Sequence, residues 1–593
     1  MLRSLSAAAL LLPAMLGAQD VPYFQQGVDY RIEARLDEDT DVLHGRARLR
    51  YTNRSPATLD TLYLHQHLNA FRPNSAWARR ELEYGERRFT RLGPGQHAFE
   101  RFTRVTVDGA AVRAAYPGAP DSTVAALPLP RPLPPGGLVE VVMDWEARLS
   151  TLPRRQGRRG RHFDFAQWYP RIAVYDRTGW AFHPLLPQGE FYGEFGRYDV
   201  TLDVAADQVI GATGVAVEGD PGYRERVTGP GYPPPPPGDP LGLLAGAPGE
   251  GRKRVRFFAD SVHHFAWSAD PAYLHDFVVR TIIDEETGAH SAPGIHVLYL
   301  PGDTDWDERA AARRTWDALT WLETMFGPYP WPQLTNVHRL EGGGTEFPML
   351  IMNGSASEGL IVHETTHQYL HGILANNEWR EGWMDEGFTS FMSSWYREMK
   401  GDTAVWRGTM QTLERLERTD SSEAVGQPGA AFSSPRLYSA MTYTKASAVF
   451  RMLREMVGHD AFRQILRTFY ERHRLRHVTG ADFQRVAEEV SGRDLDWFFA
   501  QWIQRTDRLD YGIAGAATRQ AGGRWRTRVE VVRAGEAWMP VVLRVGGVTR
   551  TLDSRERRQT VEVVTDARPA EAVLDPEWVL IDFDRSNNRA AVP

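Results

Sequence analysis

The hydrophobic period changes twice along this chain, and that order of periods limits the fold to a helical unit set between two β units. From Tyr30 to about Ala212 apolar residues recur at every second position: Tyr30, Ile32, Ala34 and Leu36, then Ala47, Leu49 and Tyr51, then Tyr198, Val200, Leu202 and Val204. Alternation broken by turn clusters such as Thr52-Asn53-Arg54-Ser55-Pro56 and Pro134-Pro135-Gly136-Gly137 predicts antiparallel strands. From about Ala259 the spacing becomes helical. Trp316, Leu319, Leu322 and Phe326 share one face ahead of Gly327-Pro328, and Ala446, Val449, Phe450, Leu453 and Val457 share another. After Leu509 period two returns in Trp525, Thr527, Val529 and Val531, and again in Val541, Leu543 and Val545. The expectation is an α+β multidomain protein: a β-rich unit over residues 19–258, a mainly helical unit over 259–508 and a small β-sandwich over 509–593. The longest irregular insert, Gly229 to Gly251, contains Pro233 to Pro237 in an unbroken run and reads as an extended surface loop, because proline cannot donate to a sheet ladder.

Residues 1–18 carry Arg3, an apolar run from Leu5 to Leu16 and the small residues Gly17 and Ala18, the layout of a secretory signal peptide cleaved after Ala18. The apolar stretch is too short to span a bilayer, and no later run is long enough for a membrane helix. The expected location is therefore periplasmic or extracellular. The formal charge of -7 argues against nucleic acid as a partner. The 593 residues contain no cysteine, which removes disulfides, thiolate metal sites and cysteine nucleophiles together. Any metal must sit on His, Asp and Glu. One basic cluster stands out, Arg154, Arg155, Arg158, Arg159 and Arg161. No aromatic residues interleave with it, so it reads as a solvated loop rather than a binding surface.

The helical unit contains His363-Glu364-Thr365-Thr366-His367. On an α-helix His363 and His367 lie one turn apart on the same face, so both imidazoles can grip one ion. Downstream, Asp385-Glu386 forms an acidic pair in the otherwise apolar stretch Trp383 to Phe388. A carboxylate from a second helix completes a His-His-Glu set and leaves a fourth position for water, as catalytic zinc requires.

Eighteen residues separate His367 from Glu386, and this H-E-x-x-H-x18-E pattern resembles the aminopeptidase N and leukotriene hydrolase family of zinc metallopeptidases, the gluzincins. Trp383 to Phe388 is similar to the family's tryptophan-leucine-asparagine-glutamate-glycine-phenylalanine signature, with Met384 and Asp385 as departures. Gly343-Gly344-Thr345-Glu346-Phe347 resembles its glycine-x-methionine-glutamate-asparagine exopeptidase motif, with Thr345 and Phe347 departing from it. Tyr443-Thr444-Lys445 resembles the segment bearing its catalytic tyrosine.

The resemblance implies a thermolysin-like catalytic domain holding one zinc ion on His363, His367 and Glu386, with Glu364 as general base. It implies that Tyr443 stabilises the oxyanion, with Tyr438 as the competing candidate, and that Glu346 pairs with the free ammonium of a peptide substrate beside Gly343 and Gly344. Gln167 would contribute from the β-rich unit. His371 reads as a structural or supporting residue, and Asp385 either orients a ligand or stands where relatives carry asparagine. The expected activity is hydrolysis of the N-terminal peptide bond of peptides. A zinc endopeptidase with the same metal site and a catalytically inactive exported binding protein are the rivals. The short C-terminal β unit suggests a cleft open to longer peptides.

Overall fold

The computed structural model describes residues 22–593 apart from 190, 224–240, 280, 284–287, 289, 308, 403 and 420. The expected signal peptide and the run Pro233 to Pro237 lie outside the described residues.

The period-two segments form an eight-stranded sheet in the order Val215–Glu218, Arg252–Val262, Gly196–Ala205, Gly27–Asp37, Val42–Thr52, Leu138–Arg148, Phe99–Val107 and Ala110–Ala111. All neighbours are antiparallel except Gly27–Asp37 beside Gly196–Ala205, which run parallel with Tyr30 opposite Tyr198. The alternation places Tyr30, Ile32, Ala34 and Leu36 on the core face, all buried. Gly45 has no side chain because the Trp145 ring fills its face; a Cβ there would fall 2.3 Å from that ring. Trp145 Nε1 then donates to Trp168 O at 3.1 Å, and Trp168 Nε1 to Phe265 O at 3.0 Å. The expected boundary at residue 258 falls inside a strand. Arg252–Val262 pairs with Gly196–Ala205, and Trp267–Asp270 joins a second sheet with Val209–Ala212, His162–Phe165 and Gly157–Arg159. Chain order misleads here because these pairings join segments far apart in sequence.

The middle region combines helices with a five-stranded mixed sheet in the order Leu274–Val279, Gly294–Tyr299, Gln333–His338, Leu350–Asn353 and Gly344–Thr345. Its last strand is short and lies at an edge, where unpaired backbone groups can receive an extended chain. The helix Ala310–Met325 buries Leu319 and Leu322, and Ala446–Val457 buries Val449, Phe450 and Leu453. The C-terminal region has two sheets. One contains Tyr511–Ala521, Arg524–Arg533 and Arg558–Thr565; the other is ordered Val548–Leu552, Val541–Val545, Glu571–Leu574 and Arg589–Ala591. It docks on the helices through Arg451, which donates to Trp578 O at 2.6 Å, and Gln501, which exchanges hydrogen bonds with Trp538.

A buried network joins the first region to the second just ahead of the edge strand. His162 lies 3.0 Å from both Asp164 and Asp270, Leu340 N donates to Asp164 Oδ2 at 2.9 Å, and the Tyr273 hydroxyl donates to His338 O at 2.6 Å. Burial opposes charge on His162, but the two carboxylates outweigh it and hold its pKa up at about 9. A pKa raised from 6.5 on folding contributes stability that is complete below pH 6.5 and disappears as pH rises through about 9. Calorimetry should therefore show wild-type Tm falling across that window. His162→Gln should flatten this dependence and unfold earlier at neutral pH, by about 3–5 kcal/mol for a broken buried ion pair.

Candidate metal centre and its cleft

The helix Glu358–Thr366 carries His363 and leads directly into His367, after which the backbone leaves α-helical geometry at Leu370 and His371. Glu386 and Tyr443 both lie in wide π-type turns, Trp383–Gly387 and Ala440–Lys445. Such turns recur at functional sites because the extra residue re-aims a side chain. Here they bring Glu386 under the two histidines and Tyr443 onto Glu386.

Three ligand atoms converge. His363 Nε2 lies 3.1 Å from Glu386 Oε2, His367 Nε2 lies 3.3 Å from the same oxygen, and the two imidazole nitrogens are 3.2 Å apart. Tetrahedral zinc, with ligands at about 2.0–2.1 Å, separates ligand atoms by about 3.3–3.4 Å. The donor set and its spacing fit such an ion. His367 Nδ1 faces away from this point, 2.8 Å from Asp385 Oδ1 and 3.2 Å from Thr389 Oγ1. Asp385 thus contacts the nitrogen of His367 that faces away from the triad. A carboxylate behind a ligating histidine fixes its tautomer and raises its basicity. Thr389 was not legible as a partner, since nothing in its sequence context distinguishes it from a helix residue.

The triad opens into a cleft of about 420 Å³ lined by His363, Glu364, Glu386, Tyr443, Tyr438, Glu346 and Gly342 to Gly344, among others. Glu364 is buried against the edge strand: a Cβ on Gly344 would fall 2.1 Å from Glu364 Oε1, so bare backbone is what admits the carboxylate. Burial pushes the Glu364 carboxyl up to about 7, with His363 and His367 pulling the other way. A bound dication would pull it down further. The Tyr443 hydroxyl donates to Glu386 Oε1 at 2.6 Å, which places it at the triad. Tyr438 also lines the cleft, with its ring 6.2 Å from that of Tyr443.

Glu346 is buried in the cleft wall and its Oε1 has no hydrogen-bond partner. It lies close to His371 and Glu378, the three residues each offering an atom within 4.8 Å of the others. His371 pairs with Glu378 and takes no part in the triad. Gln167 is not among the residues lining the cleft. It is buried one layer away, with a positive φ of 56° and its Oε1 3.4 Å from His67 Nδ1.

The basic cluster divides. Arg158 pairs with Asp41, and Arg161 with Glu38 and Asp207, as a solvated loop would. Arg154 and Arg155 instead line the cleft. The aromatics missing from their local sequence arrive from elsewhere: the Arg154 guanidinium sits 5.7 Å from the Trp77 ring and that of Arg155 4.9 Å from Phe191. The reading of the whole cluster as solvent-facing is corrected at these two positions.

The sequence profile of the Peptidase family M1 domain matches residues 350–502. Over these residues the chain resembles peptidase family M1. Its match takes in both histidines, Glu364, Glu386 and Tyr443, while Glu346 and the arginines lie outside it. Aminopeptidase N of Lactococcus lactis is 26% identical over 160 residues, covering 25% of this chain and 18% of its own length. The alanine/arginine aminopeptidase of Saccharomyces cerevisiae is 26% identical over 262 residues, covering 39% of this chain and 30% of the relative. This chain thus aligns with less than a third of either relative. Among solved structures, Legionella pneumophila aminopeptidase A matches 95% of this chain and 60% of its own with a TM-score of 0.62 at 14% identity. An M1 zinc metallopeptidase from Deinococcus radiodurans matches 81% and 93% with a TM-score of 0.54 at 16% identity. The likeness of fold to these structures therefore extends beyond the matched residues.

The Asp385–His367 contact backs the ligand set from the side away from the triad. Asp385→Asn should weaken metal binding about 10–100-fold, read as metal content retained against a competing chelator. Unchanged retention would reduce Asp385 to packing.

Proposed function

We propose that the protein is a zinc-dependent aminopeptidase that hydrolyses the N-terminal peptide bond of peptides. The observation carrying this reading is Glu346, a buried carboxylate with an unpartnered oxygen on the wall of the cleft that holds the His-His-Glu triad. A buried anion without a counter-charge is costly, and a substrate ammonium supplies that charge. The names of the relatives and the M1 fold support the same activity.

One zinc ion on His363, His367 and Glu386 would act as a Lewis acid and lower the pKa of bound water toward ~7. Glu364, buried beside the triad, would take the proton of an attacking water and pass it to the leaving amine. Tyr443, already at the triad, donates its hydroxyl to the developing oxyanion. The edge at Gly343 and Gly344 receives the peptide backbone in extended form, and Glu346 sets the register so that the first peptide bond lies at the metal. The leader pattern in residues 1–18 supports export to the periplasm or the exterior. Among the described residues no helix is long and apolar enough to cross a membrane.

An aminoacyl anilide and its N-acetylated form separate this reading from an endopeptidase. The free amine should be cleaved and the acetylated form should lose nearly all activity; equal rates would overturn the role of Glu346. Metal-loaded protein without chelator-sensitive hydrolysis of any peptide would instead favour a binding protein. Tyr443→Phe should lower kcat about a hundredfold with little change in KM, the pattern of a contact made in the transition state. Glu364→Gln should lower kcat by about 10²–10⁴ while metal content stays constant.

A further inference from the structure

Glu346 begins the loop that joins the edge strand Gly344–Thr345 to Leu350–Asn353, and a tight turn follows it at once. Leu350 N donates to Phe347 O at 3.0 Å, with Pro348 second and Met349 third in the turn, and Met349 has a φ of 63°. This is the pattern of a type II turn, whose third position normally takes glycine because other side chains are strained at positive φ. A methionine persists there only where its surroundings over-determine it. Two supports do so. Met349 O accepts from Thr335 N in the sheet at 2.9 Å. The second support is Gln368, whose buried side chain reaches both ends of the turn: Oε1 accepts from Met349 N at 2.8 Å, and Nε2 donates to Phe347 O at 3.0 Å. The amide can face only this way, since a peptide N–H only donates and a carbonyl only accepts. The Tyr329 hydroxyl donates to the same Oε1 at 3.2 Å. Gln368 directly follows His367, whose Nε2 belongs to the triad. One amide therefore ties the residue after a metal ligand to the residue after Glu346.

We propose that Gln368 is a positioning residue that sets the separation between the triad and Glu346, and so fixes where along a peptide the ammonium is read. This rests on the aminopeptidase reading above and adds what keeps its register. A carboxylate selects the first peptide bond only while it stays at a fixed distance from the metal, and a misplacement of about 1 Å can cost a hundredfold. Glu346 lies past the end of a two-residue strand, which cannot hold it alone. Without the amide the strain at Met349 is relieved by movement of the turn, and Glu346 moves with it while the triad stays in place.

Alanine hydroxamate and propionohydroxamate both chelate zinc and differ only in the α-ammonium, so the ratio of their Kd values on the zinc-loaded protein reads the ammonium site alone. Calorimetry at pH 7 on the wild type should favour alanine hydroxamate by about tenfold or more, the range of one hydrogen bond between charged groups. Gln368→Met is close in volume but pairs with neither backbone group. It should bring the ratio near one while zinc content and the Kd of propionohydroxamate stay unchanged. Gln368→Glu keeps an acceptor for Met349 and loses the donor to Phe347. It should keep part of the preference, and it decides the question if the Met variant does not hold zinc. The full wild-type ratio in the deciding variant overturns the proposal. Equal weakening of both hydroxamates overturns it too, since Gln368 would then support only the ligand helix. A wild-type ratio near one fails at an earlier point: it removes the ammonium role of Glu346, and the aminopeptidase reading and this proposal fall together. A preference present in the wild type and kept in the variants sinks the Gln368 assignment alone.

Discussion

Four carboxylates are buried around one short stretch of this cleft: Glu346, Glu364, Asp385 and Glu386, with Glu378 just behind. Each ion taken out of water costs several kcal/mol unless a partner compensates it. Against them stand the imidazoles of His363 and His367: Glu386 engages both, and Asp385 engages the other nitrogen of His367. The balance is short of positive charge, and the two places where it is short differ in kind. Where three ligand atoms meet, a dication satisfies the set. At Glu346, where one buried oxygen has no hydrogen-bond partner, the proposed reading supplies the charge from a substrate ammonium. Metal and substrate are in this sense part of the site's electrostatics.

Holding such a site in register requires support from outside the helical region. Asp164 receives Leu340 N, Tyr273 donates to His338 O, and Glu341 receives the backbone of Arg155. These contacts clamp the turn from His338 to Gly344 from the β-rich side, just ahead of Glu346. Gly344 shows how tight the assembly is. With Glu364 against its Cα, the edge strand and the ligand helix meet with no side chain between them.

The parts of this site legible from sequence are those whose geometry is local. His363 and His367 are fixed by one helical turn, Glu386 by a constant spacing, and Tyr443 by the segment around it. What escaped was non-local. Arg154 and Arg155 read as solvated because their aromatic platforms, Trp77 and Phe191, come from other parts of the chain. The boundary drawn at residue 258 cut a strand whose partners are Gly196–Ala205 and Val215–Glu218. Gln167 was aligned by its neighbours Trp168 and Tyr169, which do pack in the core, but its own left-handed backbone turns it toward His67. Periodicity reports which face of an element is buried; it does not report which distant element covers that face.

The C-terminal β region contributes no described residue to the cleft lining. It docks on the helices through Arg451 and Gln501 and leaves the triad's surroundings to the other two regions. A cleft of about 420 Å³ is at the lower end of small-ligand sites. Charged side chains from the other two regions line it. In the proposed reading Glu346 meets the free ammonium of a peptide, and a carboxylate held before substrate arrives limits the side-chain freedom lost on binding. That preorganisation lasts only while the turn from His338 to Gly344 stays clamped from the β-rich side.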